Sequence, residues 1–227
     1  ISPLIMKRHF SAEFVGTFAL VFVGGGAIMM AQHTANPAGL LSVALAHGLI
    51  LALMVSATMN VSGGHLNPSL TLGLLVARRI APSMAAVHIV AQLLGAVVAA
   101  MALKWAMPAA LFEATRGGGQ AIAIDITMAQ AIGLEAIATF FLMFVVYGTA
   151  VNSEGPKVGG MAIGLTIAAG ILAIGPLTGG SMNPARSFGP ALASGVWEGQ
   201  VVFWVGPILG AIAAALLWEL VLLNKKG

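Results

Sequence analysis

The chain has no cysteine, and only 7% of its residues are charged against 59% that are hydrophobic. Without cysteine there is no disulfide, no thiolate nucleophile and no Cys-based metal site. A soluble domain carries about 25% charged residues, so a surface this poor in charge could not be covered by water. Aromatics are also few, at 7% with a single tyrosine. The formal net charge of +3 is too small and too scattered to attract nucleic acid. Nucleotide motifs, metal-ligand clusters and catalytic constellations are missing as well. No cofactor and no metal are therefore expected, and the chain does not read as an enzyme. The partner that this composition demands is the lipid bilayer. The opening "ISPLI" has no basic n-region of a secretory signal, and Met6 ahead of "KRHF" reads as a native start preceded by five added residues.

What the sequence has in abundance is long apolar runs. A membrane-spanning helix needs about 20 mostly apolar residues, and six segments qualify: roughly 10–32, 40–60, 83–104, 127–149, 158–177 and 201–223. Lys7, Arg8, Arg78, Arg79, Lys157, Lys225 and Lys226 fall on the side of the two termini, against Lys104 and Arg116 on the other. By the positive-inside bias both termini are cytoplasmic. The expected location is the plasma (inner) membrane. Arg186 belongs to neither side and falls at membrane depth.

The two halves resemble each other. "AEFVGTFALVFVGGG" (12–26) matches "LEAIATFFLMFVVYG" (134–148), aligning Glu13 with Glu135. "AHGLILALMVSATMNVSGGHLNPSLTLG" (46–73) matches "AIGLTIAAGILAIGPLTGGSMNPARSFG" (162–189), and "AQLLGAVVAA" (91–100) matches "GPILGAIAAA" (206–215). Each half has an odd number of spans, so the second must be inverted. The expected fold is an all-α membrane protein: one domain over 1–227, with inverted repeats about 6–115 and 120–227. Such folds place their site at the repeat interface, in broken helices near the midplane.

Within each repeat stands an Asn-Pro preceded by a Gly pair, followed by an apolar run too short to cross. About ten residues at roughly 1.5 Å each reach halfway. Asn favours the N-cap and Pro the first helical residue. Asn67-Pro68-Ser69 and Asn183-Pro184-Ala185 therefore start two half-helices, whose positive ends face each other at mid-membrane. Non-helical backbone at that depth must be buried in protein or line a wet cavity. Gly63–Gly64 and Gly179–Gly180 are expected to leave the backbone bare and extended. The carbonyls of Gly63, Gly64, His65, Gly179, Gly180 and Ser181 would then line a file of acceptors, with the two Asn amides as donors at the centre. A bare turn between helices is the competing reading of each Asn-Pro, and the duplication argues against it.

At these residues the chain resembles the aquaporin (major intrinsic protein) family over essentially its full length. "AEFVGTF", "HLNPS" and "MNPARS" carry the resemblance, with Ser69 in place of the usual Ala. It implies six tilted helices plus two half-helices, a homotetramer with a pore in each subunit, and passive conduction of water without protons or ions. Carried over by register, His47, Ile171, Gly180 and Arg186 form the narrow filter, a set similar to that of plant tonoplast intrinsic proteins. Some of those pass ammonia as well as water. They resemble one another in adding a His from the third connection, whereas 105–126 here contains none. Ser187 and the Phe203–Trp204 pair are of the water-channel rather than the glycerol type. Two other readings stay open: a glycerol-type facilitator, and a secondary transporter built on inverted repeats.

Single residues carry alternatives too. An intramembrane cation such as Arg186 marks a functional site by default, here as a donor to solute and a barrier to cations. His47 is a filter donor or acceptor, or else a satisfied interhelical histidine. The ring of His65 is structural while its carbonyl lines the pore. Glu13 and Glu135 either relay protons or accept backbone N–H groups from the irregular loop of their own half, where unsatisfied backbone is costly. Gly95, Ala96, Gly210 and Ala211 read as close helix crossings.

Overall fold

The computed structural model describes residues 2–223. Lys225 and Lys226, which contribute to the charge bias, lie outside the described residues. Six helices are long and apolar enough to cross a membrane: α1 (Pro3–His33), α2 (Gly39–Ser62), α4 (Pro82–Ala106), α6 (Met128–Val146, continued by a π turn to Val151), α7 (Gly159–Thr178) and α9 (Gln200–Leu217, continued by a π turn to Leu222). Between them stand the short helices α3 (Pro68–Val76), α5 (Ala109–Ala114) and α8 (Pro184–Ser194). Among the described residues there is no strand. At about 1.5 Å per residue, α3 and α8 reach only about half the thickness of a hydrocarbon core.

Helix α1 begins seven residues before the apolar run suggests. Lys7 and Arg8 end the hydrophobic pattern but not the helix. Its start is fixed instead by Ser2, whose hydroxyl accepts the N–H of Ile5, and by Pro3 in the first turn.

Helices α1 to α4 and α6 to α9 repeat one order: long, long, short from an Asn-Pro, long. In each set the first helix packs on the second and the fourth, α1 on α2 and α4, α6 on α7 and α9. The short helices cross over: α3 lies against α9, and α8 against α4. The α2–α7 contact joins the two sets. There Gly48 and Gly164 meet, and a Cβ on either would run into the other's carbonyl. Gly95 abuts the carbonyl of Phe14 in α1, and Gly210 that of Ala136 in α6, in the same way. Lipid provides no hydrophobic drive between helices, so such backbone approach, with its dispersion contacts, is what holds them. Outward, α2 presents Leu45, Leu49 and Leu53, and α6 presents Ile137 and Phe141. Inward, Leu51, Leu70, Leu142, Ile163, Ile167 and Ile171 belong to one buried cluster around the molecular centre.

Candidate functional site: a polar junction in an apolar passage

The two irregular segments are built alike. Gly63 and Gly64 have φ of 90° and 61°, and Gly179 and Gly180 have 85° and 58°. The backbone there is left-handed, not extended as the sequence suggests. Left-handed residues turn the chain off the end of α2 and α7 within two positions, and Gly takes that conformation without a Cβ penalty. Leu66 (φ 51°) and Met182 (φ 50°) are also left-handed, which is unfavourable for side chains of this size.

Four hydrogen bonds pin that strain. The N–H of Leu66 donates to Glu13 Oε2 at 2.6 Å, and the N–H of Met182 to Glu135 Oε2 at 2.7 Å. Their carbonyls accept in turn from the opposite repeat: Asn183 Nδ2 donates to Leu66 O at 2.9 Å, and Asn67 Nδ2 to Met182 O at 2.7 Å. Each asparagine thus holds the loop of the other half. Each also caps its own helix, Asn67 Oδ1 accepting from Ser69 N and Asn183 Oδ1 from Ala185 N and Arg186 N. Pro68 and Pro184 occupy the first helical position. The hydroxyl of Ser69 adds a bond of 2.7 Å to Asn67 Oδ1, so the departure from Ala reinforces the cap.

The carboxylates accept on both oxygens. Glu13 also accepts from Ser62 Oγ, His65 N and Gln92 Nε2. Glu135 also accepts from Thr178 Oγ1 and Ser181 N. Both are fully buried.

His47, Ile171, Gly180 and Arg186 line one narrow passage together with His65, Asn67, Ser181 and Asn183. Its remaining wall is aliphatic, including Leu20, Leu51 and Ile167. The enclosed space is small, about 10 Å³, room for about one water. Next to it, on the side of the termini, lies a vestibule of about 280 Å³, whose wall shares His65, Leu70 and Ile163 with it and adds Gly63, Gly64 and Arg79. Gly179 does not line this passage; it is covered by the side chain of Gln120.

Arg186 Nε and NH2 approach His47 Nε2 at 3.2 and 3.1 Å, and NH1 donates to the carbonyl of Gly118 at 2.9 Å. An arginine carries no acceptor, so His47 Nε2 accepts, and its Nδ1–H donates to Val43 O at 2.8 Å. Both nitrogens of His47 are therefore committed.

Compared with known families, residues 2–218 match the model of the major intrinsic proteins. The chain belongs to the major intrinsic protein family. It is 42% identical over 223 residues to aquaporin TIP1-2 of Zea mays, covering 95% of this chain and 86% of the relative. It is 42% identical to probable aquaporin TIP3-2 of Arabidopsis thaliana, covering 92% and 81%. An X-ray structure of the aquaglyceroporin from Plasmodium falciparum superposes with a TM-score of 0.81 over 95% of this chain and 96% of that one, at 24% identity. That likeness shows the fold alone. The major intrinsic protein described here is an integral, multi-pass membrane channel and not an enzyme.

Two parts of the channel escape a reading of its sequence. The first is the third connection, where the Gly117–Gly118–Gly119 run carries no polar side chain to signal it. Gly118 stands at φ 78° and packs backbone to backbone on Gly25 of α1, which brings its carbonyl to Arg186. Gln120 is buried at 7% exposure beside Gly179, and neither atom of its amide has a hydrogen-bond partner among the described residues. The second is the set of histidines behind His65. His65 Nδ1 lies 3.3 Å from His88 Nδ1, and His88 Nε2 lies 3.0 Å from His9 Nδ1. Nothing in the spacing of residues 9, 65 and 88 announces that they meet.

Proposed function

We propose that this channel conducts water passively, excludes protons and ions, and passes ammonia as a second neutral solute. The observation that carries the reading is the reciprocal asparagine junction, where two half-helix N-termini meet at a narrow, mostly apolar cavity.

The junction acts on charge. Each helix end is equivalent to about half a positive charge. A cation about 4 Å from both, at an effective dielectric of about 20, is opposed by roughly 4 kcal/mol, about a thousandfold. Arg186, a full positive charge on the wall of the same passage, opposes a cation further. A water or ammonia molecule has no net charge and feels little of this. Each asparagine amide has a second N–H beyond the one given to the opposite loop, and that hydrogen is available to the oxygen of a central water. Waters on either side then point hydrogens outward, toward the carbonyls flanking the junction, which breaks a continuous donor chain.

At the filter, three of the five N–H groups of Arg186 are taken by His47 and Gly118, leaving two for solute. His47 orients the guanidinium and does not itself offer a bond. Ile171 supplies an apolar wall where a polar one would favour water alone, which is the basis for ammonia. The narrow cavity and the buried Ser187, bonded to Ser181 Oγ, argue against glycerol. A transporter would need a free buried group to couple an ion, and both oxygens of Glu13 and of Glu135 are engaged by loop and side-chain donors.

The two sets of helices form one domain as an inverted repeat, and the wider vestibule faces the cytoplasm with both termini. The plasma membrane is the proposed location, which cell fractionation checks. The assembly is a homotetramer, which cross-linking in membranes would display as a ladder of four. The decisive experiment is stopped-flow shrinkage of proteoliposomes. Water flux far above empty vesicles, with low activation energy and no saturation, is expected. Flux equal to empty vesicles from folded protein would remove the channel reading.

A further inference from the structure

On the face opposite the chain termini, the ends of α4 and α8 and the short helix α5 enclose a cavity of about 340 Å³ that shares no wall residue with the passage. Lys104, Ala109, Phe112, Glu113, Ser194 and Val196 line it. Lys104 stands in the last turn of α4. Its Nζ donates to the carbonyl of Ala193 at 2.8 Å and lies 5.7 Å from the centre of the Phe112 ring. Ala193 is in the last turn of α8, where carbonyls have no partner within the helix. Lys104 therefore closes the outer end of the half-helix that carries Arg186. An ammonium has three N–H groups, and two remain. Glu113 lines the same cavity, yet no ion pair joins it to Lys104 among the described residues. Ser194 Oγ accepts from the N–H of Val196 at 3.3 Å and keeps its own hydrogen to give.

We infer that this cavity is a binding site for a zwitterionic group that joins a phosphate to a primary ammonium, the headgroup chemistry of phosphatidylethanolamine. Phosphate oxygens accept from Lys104 and Ser194, and the ammonium donates to Glu113. The two wall charges exclude the simpler ligands. Glu113 opposes a plain anion, and Lys104 opposes a plain cation. A group with both charges is matched at both ends by charge-assisted hydrogen bonds. The ammonium is primary because Glu113 accepts hydrogens that a quaternary ammonium lacks. Quaternary ammonium groups take aromatic faces instead. The ring on this wall, Phe112, is buried and already lies beneath Lys104.

The position in the fold points to a lipid as the source. Trp105 follows Lys104 directly and is 89% exposed, and Trp197 follows Val196 directly and is 46% exposed. Tryptophan collects at the level of the headgroups. Two separate elements thus bring an exposed indole to the rim of one cavity, at the end of a spanning helix where the boundary between membrane and water falls. A headgroup held by Lys104 is coupled through Ala193 to α8 without touching the passage.

Full-length protein in detergent, titrated with dispersed phosphatidylethanolamine, should gain several degrees in thermal midpoint, and native mass spectrometry should show the lipid retained. Phosphatidylcholine lacks the N–H and phosphatidylglycerol lacks the cation. With the same acyl chains, each should bind at least about tenfold more weakly. Glu113→Gln breaks no contact within the protein and should bring phosphatidylethanolamine down to the level of phosphatidylcholine. Lys104→Arg should keep the binding and Lys104→Gln should lose it. Soluble phosphoethanolamine at matched concentration separates the sources: no shift supports the lipid, and a shift equal to that of the lipid would overturn the assignment to a membrane headgroup. Equal or tighter binding of either other lipid, or undiminished binding by Glu113→Gln, would overturn the site itself.

Discussion

Arg186 is the residue on which the rest of the filter turns. Its guanidinium is held between a side chain of α2 and a backbone carbonyl from the third connection. Removing the His47 acceptor frees one side of it. Substituting His47→Phe and Ile171→His together restores an acceptor from the opposite wall. That double variant should keep water flux within about threefold and lower the ammonia-to-water ratio by about tenfold, a shift of about 1.4 kcal/mol between two barriers. Paired osmotic and ammonia-driven pH assays would measure it, and an unchanged ratio would remove these residues as the source of breadth. Cysteine is the second residue-scale probe. The chain has none, so mercurials should leave flux unchanged. Gly180 is a poor place to introduce one, because φ is 58° and a Cβ would sit 3.0 Å from Ile171 Cα. Ile171→Cys lines the same passage at an ordinary helical position and should be blocked by mercurials in the same shrinkage assay.

At the scale of elements, the two left-handed hinges depend on buried carboxylates. Glu135→Gln keeps the volume but turns an amide toward the N–H groups of Ser181 and Met182. Losing a hydrogen bond to a charged group, with its donor left unpaired in the interior, costs about 2–3 kcal/mol. A fall of several degrees in the thermal midpoint of the detergent-solubilised protein is expected, with a similar fall for Glu13→Gln by the equivalence of the repeats. The crossings should be less forgiving. Gly210→Val would drive a branched side chain into the Ala136 carbonyl. In a close-packed interface overpacking costs about 1–3 kcal/mol or more, and little folded protein should be recovered on size exclusion. The helix ends show a limit of sequence patterning. The apolar pattern finds every spanning helix but misplaces the start of α1, because hydropathy stops at Lys7 while the cap at Ser2 and Pro3 governs the backbone.

For the whole molecule, the expectation is a rigid pore and not a moving carrier. The reciprocal bonds from Asn67 and Asn183 tie the two halves at their centre, and rocking one repeat against the other would break both. Water flux should therefore stay proportional to the osmotic gradient at every gradient tested. Saturation would indicate a cycle of conformations instead.

Composition, apolar run length, the duplicated Asn-Pro and the lone Arg186 determine by themselves a membrane-spanning bundle with two half-helices and a polar centre. Those features are local or periodic, and the bilayer allows few other solutions for a backbone that must satisfy its own hydrogen bonds. The tertiary structure alone decided who meets whom. It turned the glycine pairs left-handed, since the chain must reverse within two residues. It committed both nitrogens of His47, brought the Gly118 carbonyl to Arg186, and lined His9, His88 and His65 into a file. The contacts of Arg186 with His47 and Gly118 and those among the histidines depend on groups separated by tens of residues arriving within about 3 Å, and such distances follow from helix crossings that no stretch of sequence encodes alone.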